Sequence, residues 1–335
     1  MIGIRPGMPT NMVTNKNLQV NLREAGLTCP IRRRSPSMIL KTLFLETRPQ
    51  FLILSPILSF LGMSMALYNG NFNAFYFILS IIGLVLLHTS VNTLNDYSDY
   101  ITGIDLKANR TPFSGGSGIL PSGQLKPKAV LWLGLGSFIL AIPIGLYFLI
   151  IRGMILLPVF ILGAIFVLIY TSHLTRLGFG MAELAAGLGL GTLPVLGTFM
   201  IMNGSFSWPA LYASVPSGFL VCNLLFLNEF PDSEADKSGG RKTLPIVFGH
   251  KKAARIYSAI VLLTYIWVII GAIAGIMPIW TLSALLTLPF GLKALKGSLT
   301  FKSMEELVPA QGANVMMVLL TQLLMGIGYI LARVI

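Results

Sequence analysis

Apolar stretches of roughly 20 residues, the length a helix needs to cross a bilayer, recur from residue 51 to the end of the chain, separated by short polar segments. Nine spans are expected, at 51–69, 73–95, 128–150, 154–172, 181–203, 208–229, 254–275, 278–293 and 313–333. The eighth is short and is interrupted by Pro289 and Gly291. Residues 1–45 read as a polar, basic leader with Arg32, Arg33 and Arg34 in a row. This leader lacks the apolar core of a signal peptide, so it is expected to be disordered or to lie on the membrane surface. The fold class is therefore an all-α polytopic membrane protein. Its transmembrane domain is expected at 46–335, with a long 2–3 loop at 96–127 and a 6–7 loop at 230–253.

Composition narrows the picture. Only 11% of the 335 residues are charged, 54% are hydrophobic and the mean hydropathy is +0.78, too little charge to cover a soluble surface. With the N-terminus placed in the cytoplasm, 22 of the 24 Lys and Arg fall on the cytoplasmic side, leaving Arg152 and Arg333 outside. That asymmetry predicts cytoplasmic loops 2–3 and 6–7, and a C-terminus on the opposite face. It also accounts for the net charge of +12 through anionic lipid or an anionic ligand, with no nucleic-acid partner required. Cys29 and Cys222 are too far apart in character to suggest a disulfide or a cysteine metal site, and His88, His173 and His250 show no ligand spacing. Protein partners are not legible.

The acids are concentrated. Of twelve Asp and Glu, seven lie in two short segments: Asp96, Asp99 and Asp105 after the second span, and Glu229, Asp232, Glu234 and Asp236 after the sixth. The segments also match in pattern. Asn95-Asp96-Tyr97-Ser98-Asp99 and Asn228-Glu229-Phe230-Pro231-Asp232 both read Asn, acid, aromatic, any residue, Asp, and each continues to a further Asp, Lys, Arg, Thr and Pro. Two copies four spans apart return to the same membrane face and suggest a parallel internal duplication. On a helix, Asn95 and Asp99, Asn228 and Asp232, and Asp232 and Asp236 are i,i+4 neighbours, so their oxygens share a face. Such oxygen-only clusters suit Mg²⁺ with phosphate oxygens completing its shell. Lys107, Arg110, Lys237, Arg241 and Lys242 would neutralise the remaining charge of a diphosphate. Acids at one interface, with almost no charge inside the spans, argue against a transporter or channel. A fortuitous metal site gives no reason for the duplicated set. The acids are expected at a solvent-accessible boundary. The run Pro112–Gly118 lacks the GK[ST] ending of a P-loop and reads either as a linker or as a mobile segment closing over substrate.

At these residues the sequence resembles the UbiA superfamily of intramembrane aromatic prenyltransferases. Three stretches carry the resemblance: residues 95–125, residues 170–199 and the run NEFPDSEADKSGGRKTLPIVFG from Asn228. It covers roughly 46–333 and implies nine helices around a central cavity capped by the 2–3 and 6–7 loops. It also implies the reaction: a polyprenyl diphosphate held through Mg²⁺, its tail in an apolar cavity open to lipid, its allylic carbon transferred to an electron-rich aromatic ring. By position, Asn95, Asp96 and Asp99 match the first metal motif and Asp232 and Asp236 the second, with Asn228 and Asp105 as further candidates. Arg110, Lys237, Arg241 and Lys242 fall where basic residues grip the diphosphate. Tyr170 and Arg176 lie near a third active-site loop, Arg176 serving equally well as a membrane anchor; Arg48 reads as an anchor or site residue, and Glu183 as a site residue or the cap of the fifth helix. The third Asp of the first motif comes six residues after the second rather than four. That form, with the text around Glu183, resembles the branch acting on 1,4-dihydroxy-2-naphthoate in menaquinone synthesis, the alternative being 4-hydroxybenzoate or another quinone or lipid precursor.

Overall fold

The structure, a computed structural model, describes residues 35–108 and 110–335. The leader expected at 1–45, with Arg32, Arg33, Arg34 and Cys29, lies for the most part outside the described residues. The chain divides into two units, Met1–Leu40 and Lys41–Ile335. A helix α1 (Pro36–Glu46) precedes the spans. Among the described residues eight helices are long and apolar enough to cross a membrane: α2 (Pro49–Tyr68), α3 (Ala74–Thr102), α4 (Pro127–Arg152), α5 (Met154–Leu177), α6 (Met181–Asn203), α7 (Trp208–Ser238), α9 (His250–Ile273) and α11 (Met304–Val334). Between α7 and α9 lies the short α8 (Leu244–Phe248). Among the described residues there is no strand.

The eighth expected span forms as two pieces, a 3-10 helix over Ile279–Thr287 followed by α10 (Leu288–Thr300). The sequence places Pro289 at the joint, where its missing N–H is harmless in a first helical turn. Thr287 anchors the joint by hydrogen bonds with Tyr265 at 3.0 Å and Thr321 at 2.7 Å. The 3-10 piece lies against α11 so closely that a Cβ on Gly328 would sit 2.6 Å from the Trp280 carbonyl oxygen. Small residues allow such backbone contact in apolar surroundings.

Local signals set the ends of the motif-bearing helices. Asn73 caps α3 by accepting from the Tyr76 N–H at 3.0 Å, Ser207 caps α7, and Gly103 ends α3 at a φ of 78°. Both helices run past the apolar spans read from the sequence, which ended at 95 and 229, so each motif is a continuation of its transmembrane helix. α2 packs on α6 and α11, α3 on α4, and α7 on α6, α9 and α11, around buried Leu58, Leu61, Val195, Phe199, Leu220 and Phe226. By contrast α5 lies at the periphery of the bundle, with little of its apolar surface buried against the other helices. At one end of the bundle Arg152 donates to the carbonyls of Ile201 and Met202, and Asn69 and Asn71 donate to Asn203. The acidic motifs gather at the other.

Candidate active site

The ends of α3 and α7 meet across a cavity of about 230 Å³ whose lining includes Arg48, Asn95, Asp99, Asp105, Tyr170, Asn228, Glu229, Asp232, Asp236 and Arg241. The two motifs, more than 130 residues apart in sequence, are tied by one guanidinium. Arg241 donates to Asp236 at 2.8 Å and also to Asp99, so a single cation joins the carboxylates of α7 and α3. Arg48 makes the equivalent contact with Asp96. Its backbone sits in the left-handed region (φ 55°, ψ 62°) between α1 and α2, just ahead of Pro49. Within α3, Asn95 donates to Asp99 at 3.0 Å and accepts from Thr171 of α5 at 3.0 Å. That bond comes from a π-helical turn at Tyr170–Leu174, a departure from α geometry frequent at functional sites.

The Gly-rich run folds back over the motifs. The Gly115 N–H donates to Asp232 at 3.1 Å, the Ser117 N–H donates to Asp96 at 2.9 Å, and the Ser117 hydroxyl donates to Glu46 at 2.8 Å. Of the two readings of this run, a linker or a closing segment, the geometry matches the second: its backbone donors serve an acid of each motif. The close fit requires glycine at 116, where φ is +73° and a Cβ would lie 2.8 Å from Asp105 Oδ1.

The expected solvent-accessible boundary is corrected here. Asp96, Asp99, Asp105, Glu229 and Asp236 are buried, Asp96 at 1% exposure, and Asp232 is half-buried. The loop covers these carboxylates, and arginine and backbone N–H groups take the place of water around them. Burial pushes the Asp105 carboxyl up to about 8, with Asp96 and Asp99 adding to the effect. Burial likewise raises Glu46 to about 7, reinforced by Asp96 and opposed by its Ser117 hydrogen bond and Arg48.

Of the other sequence candidates, Tyr170 lines the cavity, whereas Lys107, Arg110, Arg176, Lys237 and Lys242 are exposed and absent from its lining. Lys107 bonds Ser238 at 3.4 Å, Arg110 bonds the Gly115 carbonyl at 3.1 Å, and the Lys242 N–H bonds the Thr175 carbonyl at 2.8 Å. These contacts tie the loops together. Glu183 does not cap its own helix, which starts at Gly180 without a side-chain cap; it accepts from the Leu244 N–H at 2.6 Å and so fastens α8 to α6. Sequence reasoning passed over Glu46, Ser117 and Gln311. Gln311 is fully buried on α11 and donates to Asn228 at 3.1 Å.

The donors are oxygen-only, and Asp232 Oδ1 and Glu229 Oε2 are buried without a hydrogen-bond partner. Among the described residues no three acids, histidines or cysteines converge as a metal cage. The set fits a hard cation that takes one or two carboxylates and fills its shell with water and phosphate oxygens, as Mg²⁺ does.

A profile described as the UbiA prenyltransferase family matches residues 55–306. The chain is 29% identical over 273 residues to a 1,4-dihydroxy-2-naphthoate octaprenyltransferase of Bacillus subtilis, covering 81% of this chain and 85% of that one. It is 29% identical over 238 residues to a digeranylgeranylglyceryl phosphate synthase of Thermococcus kodakarensis, covering 70% and 78%. Its fold matches that of a UbiA homologue from Archaeoglobus fulgidus bound to DMAPP and Mg²⁺, with a TM-score of 0.60, 15% identity and coverage of 86% and 99%.

Proposed function

Because the chain belongs to the UbiA prenyltransferase family and is a multi-pass membrane enzyme that transfers prenyl groups, we propose that it moves a polyprenyl group from its diphosphate to an aromatic acceptor, 1,4-dihydroxy-2-naphthoate, in menaquinone synthesis. The observation that carries the reading is the joining of two duplicated Asn/Asp motifs on one cavity through Arg241. The naphthoate acceptor rests on the similarity to the Bacillus subtilis protein and on the six-residue gap from Asp99 to Asp105.

In this reading Asn95, Asp96 and Asp99 hold Mg²⁺ from one side and Asp232 and Asp236 from the other, with Asn228 and Asp105 flanking them. When bound, the metal supplies positive charge to the leaving diphosphate oxygens. Arg48 and Arg241, which line the cavity, add to that charge. Lys107, Arg110, Lys237 and Lys242 raise the potential at the loop mouth and draw the diphosphate in. Below the acids, Leu84, Leu87, Val91, Phe166 and Leu224 make the cavity wall apolar. That wall keeps water from the allylic carbon as its C–O bond breaks and diphosphate leaves, so the carbon bonds to the ring instead. The attacked ring carbon then sheds its own substituent, a proton or a carboxyl group as carbon dioxide, to restore aromaticity. Tyr170, at the boundary of the two environments, orients the acceptor ring, while Arg176 anchors the loop end of α5. Glu183 holds α8 in place behind them. The protein lies in the cell membrane with its N-terminus and both motif loops cytoplasmic and its C-terminus on the other face, as the Lys and Arg distribution implies. Residues 1–45 form a basic leader ahead of the catalytic domain at 46–335.

The test is prenyl transfer by purified Asp96→Ala and Asp232→Ala. Each is expected to lose activity at least a hundredfold while remaining folded by circular dichroism; full activity in either removes the motif from the mechanism.

A further inference from the structure

One histidine inside the bundle takes no part in holding the diphosphate. His88 lies on α3, almost wholly buried, four, seven and eleven residues ahead of Asn92, Asn95 and Asp99. That spacing keeps all four on one helix face, and all four line the cavity. At a rise of 1.5 Å per residue His88 stands roughly 10 Å along α3 from Asn95. It therefore sits away from the acids, in the apolar part of the lining with Leu54, Leu84, Leu87 and Val91.

The ring is oriented from behind. His88 Nδ1 lies 2.9 Å from the Ser55 hydroxyl of α2, and Ser55 is fully buried and does not line the cavity. The tautomer follows from that contact. Further along α2, Ser64 gives its hydroxyl proton to the Phe60 carbonyl at 2.8 Å, the back-bond open to serine in a helix. Ser55 makes no such bond, so among the described residues Nδ1 is the one acceptor for its proton. An imidazole that accepts at Nδ1 carries its own proton on Nε2. Nε2–H has no partner among the described residues, and the cavity is the open side of the ring.

We propose that His88 Nε2–H hydrogen-bonds a ring hydroxyl oxygen of the aromatic acceptor and so sets which edge of that ring faces the allylic carbon. The chemistry of the position selects this ligand. A prenyl tail is hydrocarbon and would leave the N–H unpaired in apolar surroundings, which is costly. The diphosphate belongs with the acids and arginines at the other end of the cavity. A carboxylate would strand its charge among leucines, whereas a hydroxyl oxygen accepts the bond and brings no charge. The proposal rests on the reading of the site as one for prenyl transfer to an aromatic ring. His88 forms no covalent bond; it binds and orients the acceptor.

The experiment uses the full chain in nanodiscs with one polyprenyl diphosphate. It measures KM for 1,4-dihydroxy-2-naphthoate and the inhibition constants of 1-hydroxy-2-naphthoate and 4-hydroxy-2-naphthoate, each of which lacks one ring hydroxyl. In the unsubstituted protein one of the two analogues is expected to bind about tenfold more weakly than the dihydroxy compound, the effect of leaving one buried donor unpaired. His88→Leu weakens the dihydroxy compound by that factor, leaves the donor KM unchanged and so closes the gap. His88→Gln, whose side-chain amide can reach the place of Nε2, retains most of it. Should His88→Leu fail to fold, His88→Phe keeps the shape of the ring without its donor and closes the gap in the same way. Equal binding of all three compounds by the unsubstituted protein overturns the hydrogen bond. So does a gap that persists in the folded apolar variants, which would leave Nε2–H to a bound water. An equal loss for every ligand and for the donor also overturns it, and would reduce His88 to a fastening between α2 and α3. In each of these cases the unsubstituted protein still prenylates the dihydroxy compound, and the site reading stands. Absence of that transfer overturns the site reading, and the role of His88 with it.

Discussion

Replacing Arg241 with Gln separates the two roles of its guanidinium. Arg241 lies between Asp99 and Asp236, and all three side chains are largely withdrawn from solvent, at 11%, 6% and 4% exposure. Removing one partner from such a buried arrangement costs about 3–5 kcal/mol, because the remaining charges lose their compensation. Here two carboxylates would be left facing each other. A divalent cation restores that compensation. A ligand at a hundred times its Kd adds about 2.7 kcal/mol to the state it binds, enough to offset most of the loss. Thermal unfolding in EDTA is therefore expected to show Arg241→Gln melting several degrees below the unsubstituted protein. Mg²⁺ should narrow the gap, raising the variant more than the parent. Arg241→Lys should fall between, since an ammonium lacks the fork that serves both acids. Equal melting temperatures in EDTA, or equal shifts from Mg²⁺ in both proteins, would refute the view that arginine and metal serve the same carboxylates.

Other expectations follow from single contacts. Glu46 has its carboxyl pushed up to about 7, so the folded state holds a proton that the unfolded state releases near 4.5. Stability should accordingly decline as pH rises from about 4.5 to about 7 and level off above; Glu46→Gln should flatten that part of the curve in denaturation measured against pH. Gly116→Ala places a Cβ against Asp105 in a left-handed backbone, at a cost of about 1–3 kcal/mol; faster proteolysis within 103–126 would report it, and cleavage at the parent rate would count against the folded-back loop. Gln311→Leu removes the donor to Asn228 and should lower kcat more than it raises the donor KM, whereas an effect on KM alone would deny Gln311 a part in orienting Asn228.

Much of this arrangement is legible in the chain. Long apolar runs mark the spans, and the repeated Asn-acid-aromatic-x-Asp pattern marks both halves of the candidate site, because helical spacing alone puts Asn95 beside Asp99 and Asp232 beside Asp236. The meeting of the two halves is implied by an even number of crossings between them. What escapes the sequence is contact across loops. Nothing local distinguishes Glu46 or Ser117, whose hydrogen bond spans 71 residues, and Arg48 looks like any basic residue at a membrane edge. The Gly-rich run reads as flexible because glycine permits many conformations, yet its left-handed residues build one cover over the acids. The eighth span is short and interrupted in sequence for a physical reason: Pro289 and Thr287 divide it into a 3-10 helix and an α-helix. Burial of the acids also went unread, since a carboxylate next to an apolar helix gives no sign of which loop will cover it.

The most direct measurement of the central claim is transfer of a radiolabelled polyprenyl group by the purified protein, with 1,4-dihydroxy-2-naphthoate and 4-hydroxybenzoate in parallel, in Mg²⁺ and in EDTA. The account predicts labelled product from the naphthoate in Mg²⁺, and none in EDTA or from the benzoate. Product that forms equally well in EDTA would contradict the metal-dependent diphosphate site, and product from the benzoate alone would contradict the naphthoate assignment.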